Sequence, residues 1–375
     1  MILHSLVWAT ASLRDQRRQI LVDAKKVEVF SHRGEALRLI NNEISLVCKG
    51  KIPSDELLFS LCVVMSEFRD DSQLVDKDKP NGHSHPFLVS HMPKGWEWLN
   101  LQYNQAHIDG LFALVARRGG LGAISNRVVA KTIAHLDILL AAANLHAPLE
   151  PWTEVDEPIS LAGNSSLNVP EPESHEIHIL GTSLPVLQRL CTSGLLVSLL
   201  ERLQRIFAIR NALSRGTLRN FDPRALSVEC FVLHHAILSI PPYYNDSSGS
   251  LYELVRLATL IFDVGIFFPL PPALGLLGRL VRWIRAELER MENTHDEKVE
   301  VLIWILFLAG AAAKGLPEKV WCVEILRTLV DWHGLKRWSD VKQLLRSFVW
   351  EPNAMDEPAK DLWDDIRCYG DPGPN

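Results

Sequence analysis

The chain has 375 residues, of which 47% are apolar and 22% charged, with a formal charge of −6. It is too apolar for a disordered chain, and too long and cysteine-poor for a small disulfide scaffold. The acidic balance argues against a general nucleic-acid binder, since phosphate affinity rests on clustered Lys and Arg. The length suits one large or two ordinary domains.

Taken in chain order, Met1 to Ala9 is apolar with no basic run before it. That predicts an amphipathic first helix and no secretory leader. Pro53-Ser54-Asp55-Glu56 opens a helix expected from Ser54 to Arg69. Asp70 to Pro93 is polar, holds Pro80, Gly82 and Pro86, and reads as a loop. His83, His85 and His91 carry metal-ligand chemistry there, but no scaffold is expected to bring them together. Asp76-Lys77-Asp78-Lys79-Pro80-Asn81-Gly82 begins like a calcium loop. It fails in register, because Asn81 and Phe87 stand where such a loop needs Gly and Glu.

A helical pattern from Trp96 to Arg118 stops at Gly119-Gly120, where glycine accepts the left-handed conformation that ends a helix. The glycines of Gly119-Gly120-Leu121-Gly122 follow a helix and not a strand. They read as a hinge, whereas a phosphate cradle would need a strand before them. Ser125 and Asn126 then cap a helix that runs to about Leu145 and is closed by Pro148 and Pro151. On it, Asp137 sits at the edge of the apolar face set by Ile133, Leu136 and Leu140. A carboxylate so placed needs a partner. The expected one is Arg117 or Arg118, in a structural ion pair across the hinge, with a ligand contact as the sharper alternative.

A second polar stretch, about Pro148 to Glu173, is the only plausible seam. The expected organisation is an N-terminal helical part over 1–150, a polar loop over 151–173 and a C-terminal helical part over 174–375, all within one continuous core. His175 to Ile179 alternates weakly and reads as extended chain. Leu196, Leu199, Leu200, Leu203, Phe207 and Leu213 form one helical face, with Glu201, Arg202, Gln204 and Arg205 on the other side. His234-His235 lies in a helical pattern and reads as a partly buried packing pair.

Between Arg256 and Arg279 the sole charged residue is Asp263. The stretch is long enough to span a membrane, but Pro269, Pro271 and Pro272 interrupt it. It therefore reads as a buried helix ending near Phe268, a turn, and a new helix from about Ala273. The apolar run Val301 to Ala313 is too short to span. Near the C-terminal end, Val341, Leu344, Leu345, Phe348 and Val349 share one helix face, with Ser339 and Asp340 at its start.

The six cysteines, Cys48, Cys62, Cys191, Cys230, Cys322 and Cys368, are scattered without a CxxC pair. They fit mostly buried thiols in a reducing, intracellular compartment. No nucleophile–base motif, P-loop or H-E-x-x-H pattern occurs. The expectation is a non-enzyme with no cofactor and no metal. The fold class is all-α, an array of about ten to thirteen helices with little or no sheet.

Taken together, several segments resemble the fungal-specific transcription factor domain, the all-α regulatory module of the zinc-cluster transcription factors. The segments are His32 to Asn41; His107-Ile108-Asp109-Gly110-Leu111 with Val115 and Arg118-Gly119-Gly120-Leu121; the next helix with Ile133 and Asp137; the Phe268-Pro269-Leu270-Pro271 turn; and Trp338 to Trp350 followed by Leu362-Trp363. The likeness spans most of the chain, in order. Its signature positions are His107, Gly110, Arg118, Gly119, Gly120, Asp137, Trp338 and Trp350, read as structural. A binuclear zinc cluster needs six closely spaced cysteines, and here they run from Cys48 to Cys368. The resemblance thus implies the regulatory half of such a factor without its DNA-reading half. It implies nuclear location, a transcription-machinery protein or a small effector as partner, no direct DNA binding and no membrane.

Overall fold

Where apolar residues recur three and four apart, the chain closes into helices and buries that stripe. The computed structural model describes residues 1–7, 23–65, 67–68, 85–88, 101–102, 105–151, 182–191, 193–217, 223–242, 250–270, 274–291 and 298–368. Among these residues the protein is all-α but for one ladder of two residues per strand. The chain divides into two compact units. The expected site residues His83 and His91, the expected calcium-like run Asp76–Gly82 and the extended run at His175 lie outside the described residues.

The first unit comprises Met1–Pro80, Gly95–Ala141 and Pro148–Pro158. It holds α1 (residues 2–7), α2 (Asp23–Cys48), α3 (Asp55–Met65), α4 (Gln105–Arg118) and most of α5 (Arg127–Asn144). The Ser54 hydroxyl caps α3 by accepting from the Leu57 N–H at 3.1 Å. The helix stops at Met65, short of the expected Arg69. Likewise α4 begins at Gln105 and not at Trp96. In both places the chain is extended: Glu67–Phe68 pairs antiparallel with Leu101–Gln102, and cross-strand bonds take the place of helical ones. Leu58, Leu111, Val115, Leu121 and Ile133 form the buried centre of this unit.

The second unit comprises Asn81–Lys94, Ala142–Ala147 and Ile159–Asn375. Its helices are α6 (Leu184–Cys191), α7 (Gly194–Ser214), α8 (Pro223–Leu238), α9 (Leu251–Phe262), α10 (Leu276–Arg290), α11 (Val299–Ala312), α12 (Glu318–Trp332), α13 (Trp338–Ser347) and α14 (Pro352–Cys368). Apart from half-buried Glu300, every residue of α11 is buried, and the helix packs on α9, α10, α12, α13 and α14. Gly310 lets it do so. A Cβ there would stand 2.6 Å from Leu362 Cδ2 and 3.2 Å from Cys322 Cβ, so only a bare Cα fits between α12 and α14. A file of rings, Phe207, Phe262, Trp304 and Phe348, runs through the same core, and the Trp304 indole N–H reaches the Val349 carbonyl at 3.1 Å.

Two expectations about this unit are adjusted. α13 starts at Trp338, one residue before Ser339. Asp340 is its third residue, and its carboxylate reaches back to the Arg337 N–H in a capping box. The proline-interrupted stretch does end its helix near Phe268, but the last turn is a π turn, Asp263–Phe267, closed by the Phe268 N–H on the Asp263 carbonyl at 2.7 Å. The next helix begins at Leu276. No helix among the described residues is long and apolar enough to cross a membrane.

Candidate functional site

The π turn in the second unit is where polar chemistry enters an apolar core. Asp263, its first residue, is fully buried, and so is His234 on α8. The His234 Nδ1 lies 2.7 Å from both Asp263 carboxylate oxygens. Phe268, just past the turn, stacks on the imidazole at 4.6 Å and 14°. Burial pushes the Asp263 carboxyl above its ordinary range, and His234 opposes that rise by charge and hydrogen bond. The other ring nitrogen, Nε2, is buried and meets no hydrogen-bond partner among the described residues.

Arg210 on α7 serves the same turn. Its guanidinium donates to the Phe267 carbonyl at 3.2 Å, lies 4.8 Å from the Phe267 ring centroid, and donates to Cys230 Sγ at 3.3 Å. Burial nonetheless raises the Cys230 thiol pKa, with Arg210 only opposing it, so the thiolate is disfavoured. Cys230 is therefore no activated thiol beside the couple. Further along α7, Asn211 donates to Glu351 at 3.2 Å and Asn353 donates back to Asn211 at 3.0 Å. The Gln204 side-chain oxygen accepts from the Trp350 N–H at 3.0 Å. Burial raises the Glu351 pKa, while its bonds from Asn353 and Asn211 hold it down.

Three signature positions of the first unit, Arg118, Gly119 and Gly120, form one joint, and a fourth, Asp137, holds the chain after α5. Gly119 and Gly120 have φ of +104° and +84°, which ordinary L side chains rarely adopt. Arg118 pairs with Asp55 at 2.6 Å and also donates to the carbonyls of Pro53 and Ala123. It thus ties α4 to the start of α3, where the sequence suggested a pair with Asp137. Asp137 is buried as expected, yet its two oxygens accept backbone N–H groups, from Leu149 at 3.1 Å and Glu150 at 2.8 Å. The chain curls back after α5 and supplies those donors itself. Asn126 caps α5 as expected, its side chain accepting from the Val128 N–H at 3.0 Å.

The remaining signature residues are scattered. His107 and Gly110 lie on the exposed side of α4, and Trp338 is half-buried at the start of α13. Trp350 is buried, with its indole N–H on Asp356 at 2.8 Å. His85 is half-buried, and among the described residues no group of three or more His, Cys, Asp or Glu is placed to share a metal ion. Sequence reasoning missed the His234–Asp263 couple, the bond that Arg202 donates to buried Glu229 at 2.9 Å, and the bond that Gln204 accepts from Trp350. The signal for the couple was Asp263 itself, the lone charge in a buried stretch. Comparison of the chain with models of known protein families, with curated proteins and with solved structures returns no match.

Proposed function

We propose that the chain is a regulatory or interaction module of the fungal transcription-factor type, working in the nucleus without a DNA-reading zinc cluster of its own. One observation carries this reading. Of the residues that bear the resemblance, those buried or bonded hold the scaffold: Arg118 ties α3 to α4, Asp137 caps the chain after α5, and Trp350 anchors the α13–α14 junction on α7. Such a scaffold acts by binding a protein partner or small effector that favours one of its conformations. The net charge of −6 fits a module that leaves phosphate recognition to others.

The full chain, joined to an unrelated DNA-binding domain and expressed in a fungal cell, is expected to enter the nucleus and change transcription of a reporter bearing that domain's site. A fusion present in the nucleus that leaves the reporter unchanged overturns the reading. The chain alone is expected to give no mobility shift on DNA, and a tight, sequence-selective shift overturns that part.

A second reading, a helical small-molecule-binding protein or enzyme, rests on His234, whose buried Nε2 meets no hydrogen-bond partner among the described residues. A thermal-shift screen of small phenols and alcohols tests it. A stabilising compound that loses its effect in His234→Phe supports it, and a screen without one counts against it.

A further inference from the structure

Residues 85–88 belong to the second unit although α2–α5 flank them in sequence. Pro86 and Phe87 are buried, Phe87 to 1% exposure. Two features of the second unit receive this tetrapeptide, and each is a place where the unit lacks something of its own.

The first is a missing side chain. Gly265 lies inside the π turn, and a Cβ there would stand 3.0 Å from Phe87 Cε2 and 3.2 Å from Leu277 Cδ2. The bare glycine leaves the notch in which the ring sits. The second is a missing donor. In an α-helix the Ala354 carbonyl would accept from the N–H four residues on, but that residue is Pro358, which has none. The orphaned carbonyl accepts instead from the Leu88 N–H at 3.1 Å. The segment is bent at Pro86 and Phe87, and the Phe87 N–H meets the His85 Nδ1 at 3.3 Å.

We infer that the Gly265 notch and the Ala354 carbonyl form a receptor for a bent peptide segment with a Pro-Phe anchor. Residues 85–88 are its built-in ligand, and a partner protein's segment of the same chemistry takes their place. Affinity comes from one buried ring and one main-chain bond, and specificity from the notch that the Phe87 ring fills. The tethered segment competes at the high effective concentration of an intramolecular ligand, so the wild-type site binds partners weakly until that segment is released. The inference does not depend on a role in transcription.

The test uses the full chain and a labelled, end-capped peptide of residues 83–90. Phe87→Ala is expected to bind the peptide at least tenfold more tightly than wild type. A peptide with Ala in place of its Phe should not bind. Adding Gly265→Leu to Phe87→Ala fills the notch and should abolish binding. Equal, negligible binding to wild type and to a folded Phe87→Ala overturns the inference. So does a stable dimer of Phe87→Ala that excludes the peptide, since the site would then serve a second copy. If Phe87→Ala does not fold, refolding with millimolar peptide should restore the native fold, and failure of that rescue overturns the inference equally. In wild type, Pro358→Ala gives Ala354 its helical partner back and should speed hydrogen exchange at the Leu88 amide by at least tenfold, whereas unchanged exchange removes the carbonyl from the receptor.

Discussion

The Arg118–Gly120 joint of the first unit and the π turn of the second are mechanically alike, since each ends a helix and redirects the chain. They do it with opposite physics. At the first joint the helix stops on two glycines in positive φ, and the loose ends are tied by Arg118 on Asp55, both partly wet. At the second, an aspartate and a histidine with no exposure hold the turn. The first joint is tuned by glycine conformation and keeps a little water at Arg118 and Asp55, although the Asp55 Oδ1 that meets Arg118 is itself buried. A dry joint has no substitute solvent, so removal of either partner leaves a polar group stranded.

The difference can be broken in order of size. Asp263→Ala should cost about 3–5 kcal/mol in unfolding free energy by denaturant titration, as for any half-removed buried pair. The double variant Asp263→Leu with His234→Leu should recover most of that loss, and a double as damaged as the single would mean the couple does more than satisfy itself. Gly120→Ala should cost about 1–3 kcal/mol, the order for an ordinary residue held in a conformation suited to glycine. Asp137→Asn keeps the shape but offers one acceptor where two N–H groups point, and should cost about 1–2 kcal/mol. An unchanged melting temperature would show that those N–H bonds contribute little.

The smallest effect is in pH. Burial, then Lys131, lowers the His135 pKa below its ordinary 6.5. A group depressed in the folded state contributes stability above its unfolded pKa and loses it as pH falls through the folded value. The first unit should therefore weaken as pH drops below 6.5, and His135→Gln should flatten that slope. Glu351 is displaced the other way, raised by burial. Its contribution is complete below the ordinary carboxyl range and fades as pH rises through its folded value, so Glu351→Gln should remove a slope of opposite sign. Hydrogen exchange followed by region across pH reads the two slopes separately. His85 leans with His135, which is why the carboxylate, and not that histidine, is the informative probe in the second unit.

Much of the fold was legible because a helix repeats its signal every turn. Val341, Leu345, Phe348 and Val349 announced a buried face and are buried, and so are Leu196, Leu199, Leu200, Leu203 and Phe207 on α7. Gly119-Gly120 was readable as a joint for a local reason, the conformational freedom of glycine. What escaped was pairing at a distance. His234 and Asp263 are 29 residues apart, and no periodicity joins them. Asp137 was rightly read as a buried carboxylate needing partners, but the nearest cations in sequence were not those nearest in space. Arg118 had already turned to Asp55, and backbone amides served Asp137 instead. The segment at Phe87 hid in a polar loop because a glycine makes its notch and a proline frees the carbonyl that Leu88 meets, residues that signal breaks and not binding.

α11 has a consequence for how the protein is made. Fourteen residues with scarcely a polar surface cannot persist as a helix in water, and its neighbours α12, α13 and α14 lie later in the chain. During synthesis this segment emerges before its wrapping does. For that interval it is bare hydrophobic surface, the kind that chaperones hold and that aggregates when they do not. The nascent chain is thus most vulnerable just after Ala312, and a halt in synthesis between α11 and α14 would yield an insoluble product, not a shorter folded one.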